Sequence, residues 1–196
     1  MKMKRLFALL FFLIASLIFK SQTIQRINNE SAEKFVKRIT NTNDLAFSVI
    51  QTKEWDTTQT IILAFIPTPD EITVGLIFVP INNISYKQIL IDSFSTLGNT
   101  AHIDTVFFAN TDSDKTKELV IMTTYNQSHG KESGKVYWNL IFDNPNLLLP
   151  PNKLKYTQQI SKKIDGSYEG ILNGQKKYSK FKKAKDITEE LIKLGY

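Results

Sequence analysis

A short polar segment between two apolar stretches carries the side chains with the clearest chemistry in this sequence. Phe107-Phe108-Ala109 precedes the segment and Leu119-Val120-Ile121 follows it. Oxygen-bearing residues recur between them at relative positions 1, 3, 5, 7 and 9: Asn110, Asp112, Asp114, Thr116 and Glu118. Alternating oxygens in a tight loop can converge on a hard cation, and calcium takes about six to eight oxygen ligands. We therefore predict a calcium site to which Thr116 contributes its backbone carbonyl and the other residues their side-chain oxygens.

The same pattern has a simpler interpretation. Asn, Asp and Thr are common turn residues because their side chains accept hydrogen bonds from the backbone two positions later. A plain Asx-type turn between two strands, with solvated carboxylates, needs no ion. The spacing alone leaves both interpretations open.

Residues 107–121 resemble the Asp-x-Asp-x-Asp-Gly-x-x-Asp loop of integrin-type (FG-GAP) propeller blades, which also joins two strands. The resemblance implies a calcium loop with two departures, because Asn110 replaces the first acidic residue and Lys115 replaces the glycine. Glycine permits a sharp turn there, whereas lysine strains the turn and adds a positive charge beside the ion. An EF-hand is excluded because Ile121 occupies the position of its bidentate glutamate. The single copy of the motif argues against a whole propeller, which needs several blades.

Apolar alternation and turn signals predict the elements that position this segment. Short runs rich in β-branched and aromatic residues favour antiparallel strands. We predict strands at 45–52, 60–66, 72–79, 87–94, 103–109, 118–125 and 135–142, and a hairpin of 167–172 and 175–181 around Asn173-Gly174. We also predict a helix at 29–40 capped by Asn29, and a C-terminal helix capped by Asp186, with Glu189 completing a capping box and Gly195 ending the helix. The fold class is therefore α+β, a mainly antiparallel β-sheet with a helix near each end.

The N-terminus has the pattern of a secretory signal peptide. Lys2, Lys4 and Arg5 precede an uncharged run at 6–19, which is shorter than the roughly 20 residues of a membrane-spanning helix. We predict that residues 1–21 are a signal peptide, that residues 22–196 form a single α+β domain, and that the protein is periplasmic or secreted. Phe19 is larger than the residue that signal peptidase prefers at that position, so an uncleaved membrane anchor stays an alternative.

Removal of the leader changes the charge of the chain. Residues 1–21 hold four basic residues and no acidic ones, so the 25 lysines and arginines of the whole chain fall to 21, against 19 acidic residues. A formal charge of about +2 gives no indication of nucleic-acid binding. The absence of cysteine excludes disulfides, thiol nucleophiles and a lipid-anchored lipoprotein.

Lysines crowd the C-terminal third of the chain: Lys153, Lys155, Lys162, Lys163, Lys176, Lys177, Lys180, Lys182, Lys183 and Lys185. Aromatic residues interleave with them, which favours contact with an anionic surface, a glycan or an envelope protein, although a solvated polar face has the same composition. Export argues against a nucleic-acid partner, as does the presence of only two arginines outside the leader.

Catalytic motifs are weak in this sequence. His102 and Asp104 are two residues apart near a predicted strand, which turns both to one face and allows an acid–base pair, while a plain surface position for both histidines of the chain is the alternative. His129 lies beside Ser128, but there is no Gly-x-Ser-x-Gly nucleophile elbow and no His-x-x-x-His zinc pair. We predict a non-catalytic binding or interaction module supported by calcium. A secreted hydrolase with an unidentified carboxylate site and an inhibitor or immunity-type protein are the alternatives.

Three features together resemble uncharacterised exported proteins of Bacteroidota. They are the leader that ends in Lys20-Ser21-Gln22, the absence of cysteine, and the Lys117–Ile121 stretch followed by an aromatic strand with Tyr137 and Trp138. The resemblance implies an exported compartment and no particular activity.

Cleavage of the leader can be measured directly. We expect cleavage after Ser21, so that the exported protein begins at Gln22. Expression of the full chain in a bacterial host with a periplasm, followed by N-terminal sequencing and intact mass of each cell fraction, identifies the terminus. Unprocessed polypeptide dissolved among the cytosolic proteins would contradict export, and a full-length chain in the inner membrane would favour the anchor.

Overall fold

The fold consists of antiparallel strands and three short helices over the residues that the computed structural model describes, 23–55, 58–96, 99–114, 116–130 and 132–196. The strands are β1 (Thr23–Gln25), β2 (Ile50–Thr52), β3 (Ile61–Pro67), β4 (Thr73–Pro80), β5 (Ser85–Thr96), β6 (Asn99–Thr100), β7 (His102–Ala109), β8 (Glu118–His129), β9 (Glu132–Phe142), β10 (Ser167–Leu172) and β11 (Gln175–Lys177). The helices are α1 (Ala32–Thr40), α2 (Gln158–Lys163) and α3 (Ala184–Lys193). The predicted signal peptide at 1–21 and Lys115 of the polar segment lie outside the described residues.

The strands form two sheets. The first has the order β1-β5-β4-β3-β2, with β6 paired to β5, and the second has the order β11-β10-β9-β8-β7. Every ladder between these strands is antiparallel. A mainly antiparallel α+β fold with a helix near each end is thereby confirmed.

Three apolar clusters arrange these elements in four layers. The largest cluster joins the inner faces of the two sheets, with Phe65 and Ile77 from the first sheet and Ile121 and Phe142 from the second. Helix α1 covers the outer face of the first sheet through Phe35 and Val36. Helices α2 and α3 cover the outer face of the second sheet, with Ile160, Ile164, Ile187 and Leu191 in the third cluster. The order of layers is therefore helix, sheet, sheet, helices, and the central strands are apolar on both faces.

Helix α1 begins later than predicted. Ser31, not Asn29, is its N-cap, and the Ser31 hydroxyl accepts a hydrogen bond from the N–H of Lys34. Asn29 has a φ of 62° and lies in the turn before the helix. The predicted cap was wrong because Glu30 leaves the helical path to bind Arg38 and the N–H of Ile27.

Helix α3 begins at Ala184, two residues before the predicted cap. Asp186 lies in its first turn, where one carboxylate oxygen accepts hydrogen bonds from the N–H groups of Lys182 and Lys183. Glu189 takes no part in capping and instead approaches Lys185 one turn away. Gly195 follows the helix with a φ of 90°, as predicted for a residue that ends a helix in the left-handed region.

Several other boundaries differ from the prediction. The hairpin of β8 and β9 continues through the polar stretch 126–134, because backbone pairing runs from Leu119–Phe142 to His129–Glu132 regardless of side-chain polarity. Only Ile50–Thr52 of the predicted strand 45–52 is a strand, and β11 ends at Lys177. Helix α2 was not predicted, since it has six residues and its N-cap makes no side-chain hydrogen bond.

A connecting strap, residues 152–157, ties the two sheets together along one side. Leu90 of β5 donates its N–H to the carbonyl of Asn152, and Leu154 donates to the carbonyl of Leu90, both at 2.9 Å. The N–H of Asp143 then bonds to the carbonyl of Lys155, and Thr157 donates to the carbonyl of Ile141, also at 2.9 Å. The strap therefore satisfies backbone groups at the edges of both sheets.

Glu30 anchors α1 to the preceding chain. Its two carboxylate oxygens accept hydrogen bonds from the Nε and one terminal nitrogen of Arg38, each at 2.8 Å, and its side chain is only 8% exposed. The hydrogen bonds from Arg38 are the main reason that the pKa of Glu30 lies below its ordinary value, with burial acting in the opposite direction. Because folding lowers this pKa, the pair stabilises the protein fully above the ordinary value, and the stabilisation is lost as the pH falls through the lowered value.

We expect Glu30→Gln to lower the free energy of unfolding at pH 7 by about 1 kcal/mol, because a bidentate, charge-assisted pair is lost whose Arg38 side is screened by solvent. The difference from the native sequence should shrink as the pH is lowered to about 3. Urea unfolding at both pH values measures the effect. Glu33→Gln is the matched control, because Glu33 forms an exposed pair with Lys37 one turn away and should change stability by less than about 0.5 kcal/mol. Equal losses in the two variants would contradict this role of Glu30.

Candidate metal-binding loop

The acidic loop, residues 110–118, connects β7 to β8 at one end of the second sheet. Ala109 pairs with Glu118 and Phe108 with Leu119, so the loop leaves and re-enters a regular antiparallel ladder. Phe108 and Leu119 belong to the layer between the sheets. The ends of the loop are therefore fixed by the core, and only the polar residues between them are free of the ladder.

Successive side-chain oxygens in the loop accept hydrogen bonds from the backbone two residues later. Asn110 Oδ1 accepts from the N–H of Asp112 at 3.2 Å, and Asp112 Oδ1 accepts from the N–H of Asp114 at 2.9 Å. Asp114 Oδ1 accepts from the N–H of Thr116 at 2.6 Å. The predicted Asx-type turns are thus present. Among the described residues, the second carboxylate oxygen of Asp112 and of Asp114 has no backbone donor.

Glu118 departs most clearly from a plain turn. The residue is fully buried. Its Oε2 accepts hydrogen bonds from the N–H of Thr111 at 2.6 Å and from the Thr111 hydroxyl at 2.9 Å. Among the residues that the structure describes, no hydrogen-bond partner reaches its buried Oε1. A buried carboxylate oxygen without a donor destabilises the folded protein. A cation bound to this oxygen would remove that destabilisation.

Three carboxylates converge around that position. One oxygen each from Asp112, Asp114 and Glu118 can be chosen so that all three lie within 4.8 Å of one another. Calcium lies about 2.3–2.6 Å from each oxygen ligand, so oxygens on opposite sides of one ion are up to about 5 Å apart. The spacing of the three carboxylates fits one calcium ion.

The electrostatics of the loop favour a cation. Burial raises the pKa of Glu118 above its ordinary value; the hydrogen bonds from Thr111 oppose that shift, and the negative charges of Asp112 and Asp114 add to it. The pKa of Asp114 is lowered by the hydrogen bonds from the Thr116 hydroxyl and N–H. Among the described residues, no lysine or arginine forms an ion pair with any of the three carboxylates. A bound divalent ion would neutralise the charge that the described residues leave uncompensated.

The two other predicted ligands have mainly internal contacts. The side-chain amide nitrogen of Asn110 donates to the backbone carbonyl of Asp114 at 2.9 Å, and its Oδ1 accepts from the N–H of Asp112. The Thr116 hydroxyl donates to Asp114 Oδ1 at 2.6 Å. The structure therefore brings Asp112, Asp114 and Glu118 together, and the side chains of Asn110 and Thr116 bond within the loop; the backbone carbonyl of Thr116 stays a predicted ligand.

Thr111 belongs to the candidate site but was not predicted from the sequence. It is fully buried and supplies both hydrogen bonds to Glu118. Its hydroxyl and the Glu118 carboxylate are seven residues apart in sequence, a separation that is not typical of any local hydrogen-bond motif. The only available signal was that a threonine stands among the polar residues of the segment.

The histidine and aspartate that were predicted to share a strand face do so at the protein surface. His102 Nδ1 lies 2.9 Å from Asp104 Oδ1, so the predicted pair is formed, but the His102 side chain is 71% exposed. Such a pair contributes little to stability, and water competes for the imidazole. The side chain of His129 lies outside the described part of the chain.

Many of the C-terminal lysines have partners within the chain. Five of the ten form ion pairs, in the order Lys153–Asp92, Lys155–Asp143, Lys180–Glu190, Lys182–Glu169 and Lys185–Glu189. Lys163 and Lys176 lie over the rings of Tyr196 and Tyr178. The positive charge of this third is partly neutralised, which weakens the electrostatic basis for an anionic partner.

Comparison with protein-family models, with curated proteins and with solved structures finds no match to this chain. Within the described residues, no helix has both the length and the apolar composition that crossing a membrane requires. A proposal on function therefore depends on the geometry of the chain itself.

The contribution of the Thr111 hydroxyl to stability can be measured by removing it. We expect Thr111→Val to lower the free energy of unfolding by about 1–3 kcal/mol, because a buried carboxylate loses one of its two donors while the side-chain volume stays nearly constant. Thermal and urea unfolding measure the loss. Thr188→Val is the matched control: the exposed Thr188 hydroxyl donates to a carbonyl within α3, and its loss should change stability by less than about 0.5 kcal/mol. Similar losses in both variants would contradict the assigned role of Thr111.

Proposed function

We propose that this chain is an exported, non-catalytic binding module in which the acidic loop holds a structural calcium ion. The observation that carries the proposal is Glu118, a fully buried carboxylate grouped with Asp112 and Asp114, one oxygen of which has no partner among the described residues. The alternative, a plain turn with solvated carboxylates, does not account for the burial of Glu118.

Calcium fits this ligand set better than other common ions. All three ligands are carboxylates, which suit hard cations, and the described residues place no histidine in the cluster. Magnesium demands near-ideal octahedral geometry and keeps several waters, whereas calcium accepts the irregular geometry of a loop. The remaining coordination positions would be filled by loop oxygens and water.

A structural role follows from the burial of Glu118. Its carboxylate stands where β8 begins, and Thr111 ties it to the residues that leave β7. An ion held there would fasten both ends of the acidic loop, whereas a catalytic ion must leave a position open to the substrate. The ion would therefore stabilise a surface for binding.

Export is the second part of the proposal. It rests on the basic start and apolar run of residues 1–21 and on the absence of cysteine. Calcium-binding modules outside the cytoplasm have dissociation constants of about 0.1–1 mM. A loop of such modest affinity is therefore suited to an exported protein.

We expect 10 mM calcium to stabilise the chelator-treated protein by about 1.4–2.7 kcal/mol if the dissociation constant lies at about 0.1–1 mM. For a domain of this size the melting temperature should rise by about 3–10 °C. Differential scanning calorimetry with calcium, with magnesium and with chelator measures the shift. Asp112→Asn and Glu118→Gln should each reduce it, because each removes one ligand charge.

Two comparisons separate ion binding from general salt effects. Asp70→Asn, which changes an exposed carboxylate in the β3–β4 turn, should keep the full calcium shift. Glu118→Gln without calcium should unfold at the same or a higher temperature than the native sequence, since it removes a buried charge. An equal shift in all variants, or no shift at 10 mM calcium, would end the calcium proposal and leave the export proposal unaffected.

A further inference from the structure

A second candidate site lies beside the connecting strap, away from the acidic loop in sequence. It is a pocket of about 330 Å³ with side chains from both sheets and from α2. Its lining includes Asp92, Trp138, Tyr156, Gln158, Lys162 and Asp165. The volume is at the small end of the range for small-molecule sites.

The walls of this pocket are fixed by buried hydrogen bonds. The Asn139 side-chain amide donates to the carbonyls of Ile164 at 2.7 Å and Phe181 at 3.2 Å. The Ser161 hydroxyl accepts from the N–H of Ile141 and donates to the carbonyl of Thr157. These bonds hold α2 against β9, and the strap is hydrogen-bonded to both sheets. The pocket is therefore formed before any ligand arrives, which reduces the entropy lost on binding.

Two aromatic side chains are open to solvent at the pocket. Trp138 is 36% exposed and Tyr156 is 39% exposed. Each is held by a second ring, since Trp138 meets Tyr125 edge-on with centroids 5.1 Å apart, and Tyr156 lies 5.8 Å from Phe142. Rigid, half-exposed aromatic rings offer apolar contact area at low conformational cost.

Three polar side chains of the pocket are available to a ligand, and the charges balance once Lys153, the partner of Asp92, is counted. Asp92 is paired with Lys153 at 2.7 Å. The side chains of Gln158, Lys162 and Asp165 are exposed and make no hydrogen bond or ion pair within the described residues. Lys162 and Asp165 carry opposite charges, so the lining attracts neither a cation nor an anion as a whole.

Rigid aromatic surface, free donors and acceptors, and a balanced charge together match one ligand chemistry. A pyranose ring presents apolar C–H groups on one face and hydroxyl groups around its edge, and carries no charge. We propose that this pocket binds a neutral carbohydrate, with Trp138 and Tyr156 against the ring and with Gln158 and Asp165 on its hydroxyls. The site is independent of calcium and goes beyond the proposed function, because it names a ligand class.

Isothermal titration calorimetry of the mature protein against cellotetraose, maltotetraose, chitotetraose and mannotetraose tests this assignment. We expect at least one of these neutral oligosaccharides to bind, and to bind equally with calcium and with chelator. Trp138→Ala and Tyr156→Ala should each weaken binding about tenfold, because an aromatic contact is lost. Gln158→Ala should weaken it about two- to tenfold through one lost hydrogen bond.

Tyr178→Ala is the control variant for the pocket substitutions. Tyr178→Ala removes a side chain that is 69% exposed and outside the pocket lining, and it should leave affinity unchanged. Melting temperatures establish that each variant is folded, and Gln158→Ala, at an exposed helix start, tests the pocket even if Trp138→Ala unfolds. Tetralysine and tetragalacturonate serve as charged comparison ligands. Absence of binding by all four neutral sugars, stronger binding of a charged ligand, or undiminished affinity in the folded pocket variants would overturn the assignment.

Discussion

The apolar layer between the two sheets is the interaction on which the rest of this structure depends. Phe65, Ile77, Ile121 and Phe142 meet there, and each sheet has its other face covered by helices. Burial of both faces fixes the register of the central strands, because a slip of one residue would set every side chain against packing partners of the wrong shape. Strands β8 and β9 are thereby fixed, and both candidate sites are built on them.

Glu118 shows what this constraint does to a polar residue. It stands at the first position of β8, directly before Leu119, which the core holds in place. The carboxylate cannot turn into solvent as Asp114 and Thr116 do without moving the strand. Thr111 satisfies one of its oxygens, and the other has no partner in the described part of the chain. A local rule of protein stability is broken at this position, and such exceptions occur most often where a site has a function.

The connecting strap has a comparable role at the side of the molecule. Its backbone bonds to β5 on one sheet and to the chain around β9 on the other. It places Tyr156 and Lys153 beside Trp138 and Asp92, residues that are far apart in sequence. The pocket is therefore a consequence of how the sheets are joined, and the pairing of Lys153 with Asp92 belongs to its charge balance. The same pairing accounts for part of the lysine-rich composition of the C-terminal third, which looked from composition alone like a basic surface.

The sequence by itself determined the features that depend on neighbouring residues. The antiparallel strands, the helix near each end, the glycine after α3 and the Asx turns of the acidic loop all follow from short-range spacing and turn chemistry, and the structure shows each of them. Capping was predicted less well, because Glu30 and Asp186 bind partners that a local pattern does not specify. Only the tertiary structure decided that Glu118 is buried, that Thr111 supports it, that His102 is exposed and that Trp138 and Tyr156 share a pocket. The physical reason is that spacing along a strand fixes which face a side chain occupies, whereas its burial and its partners depend on which distant surface packs against that face.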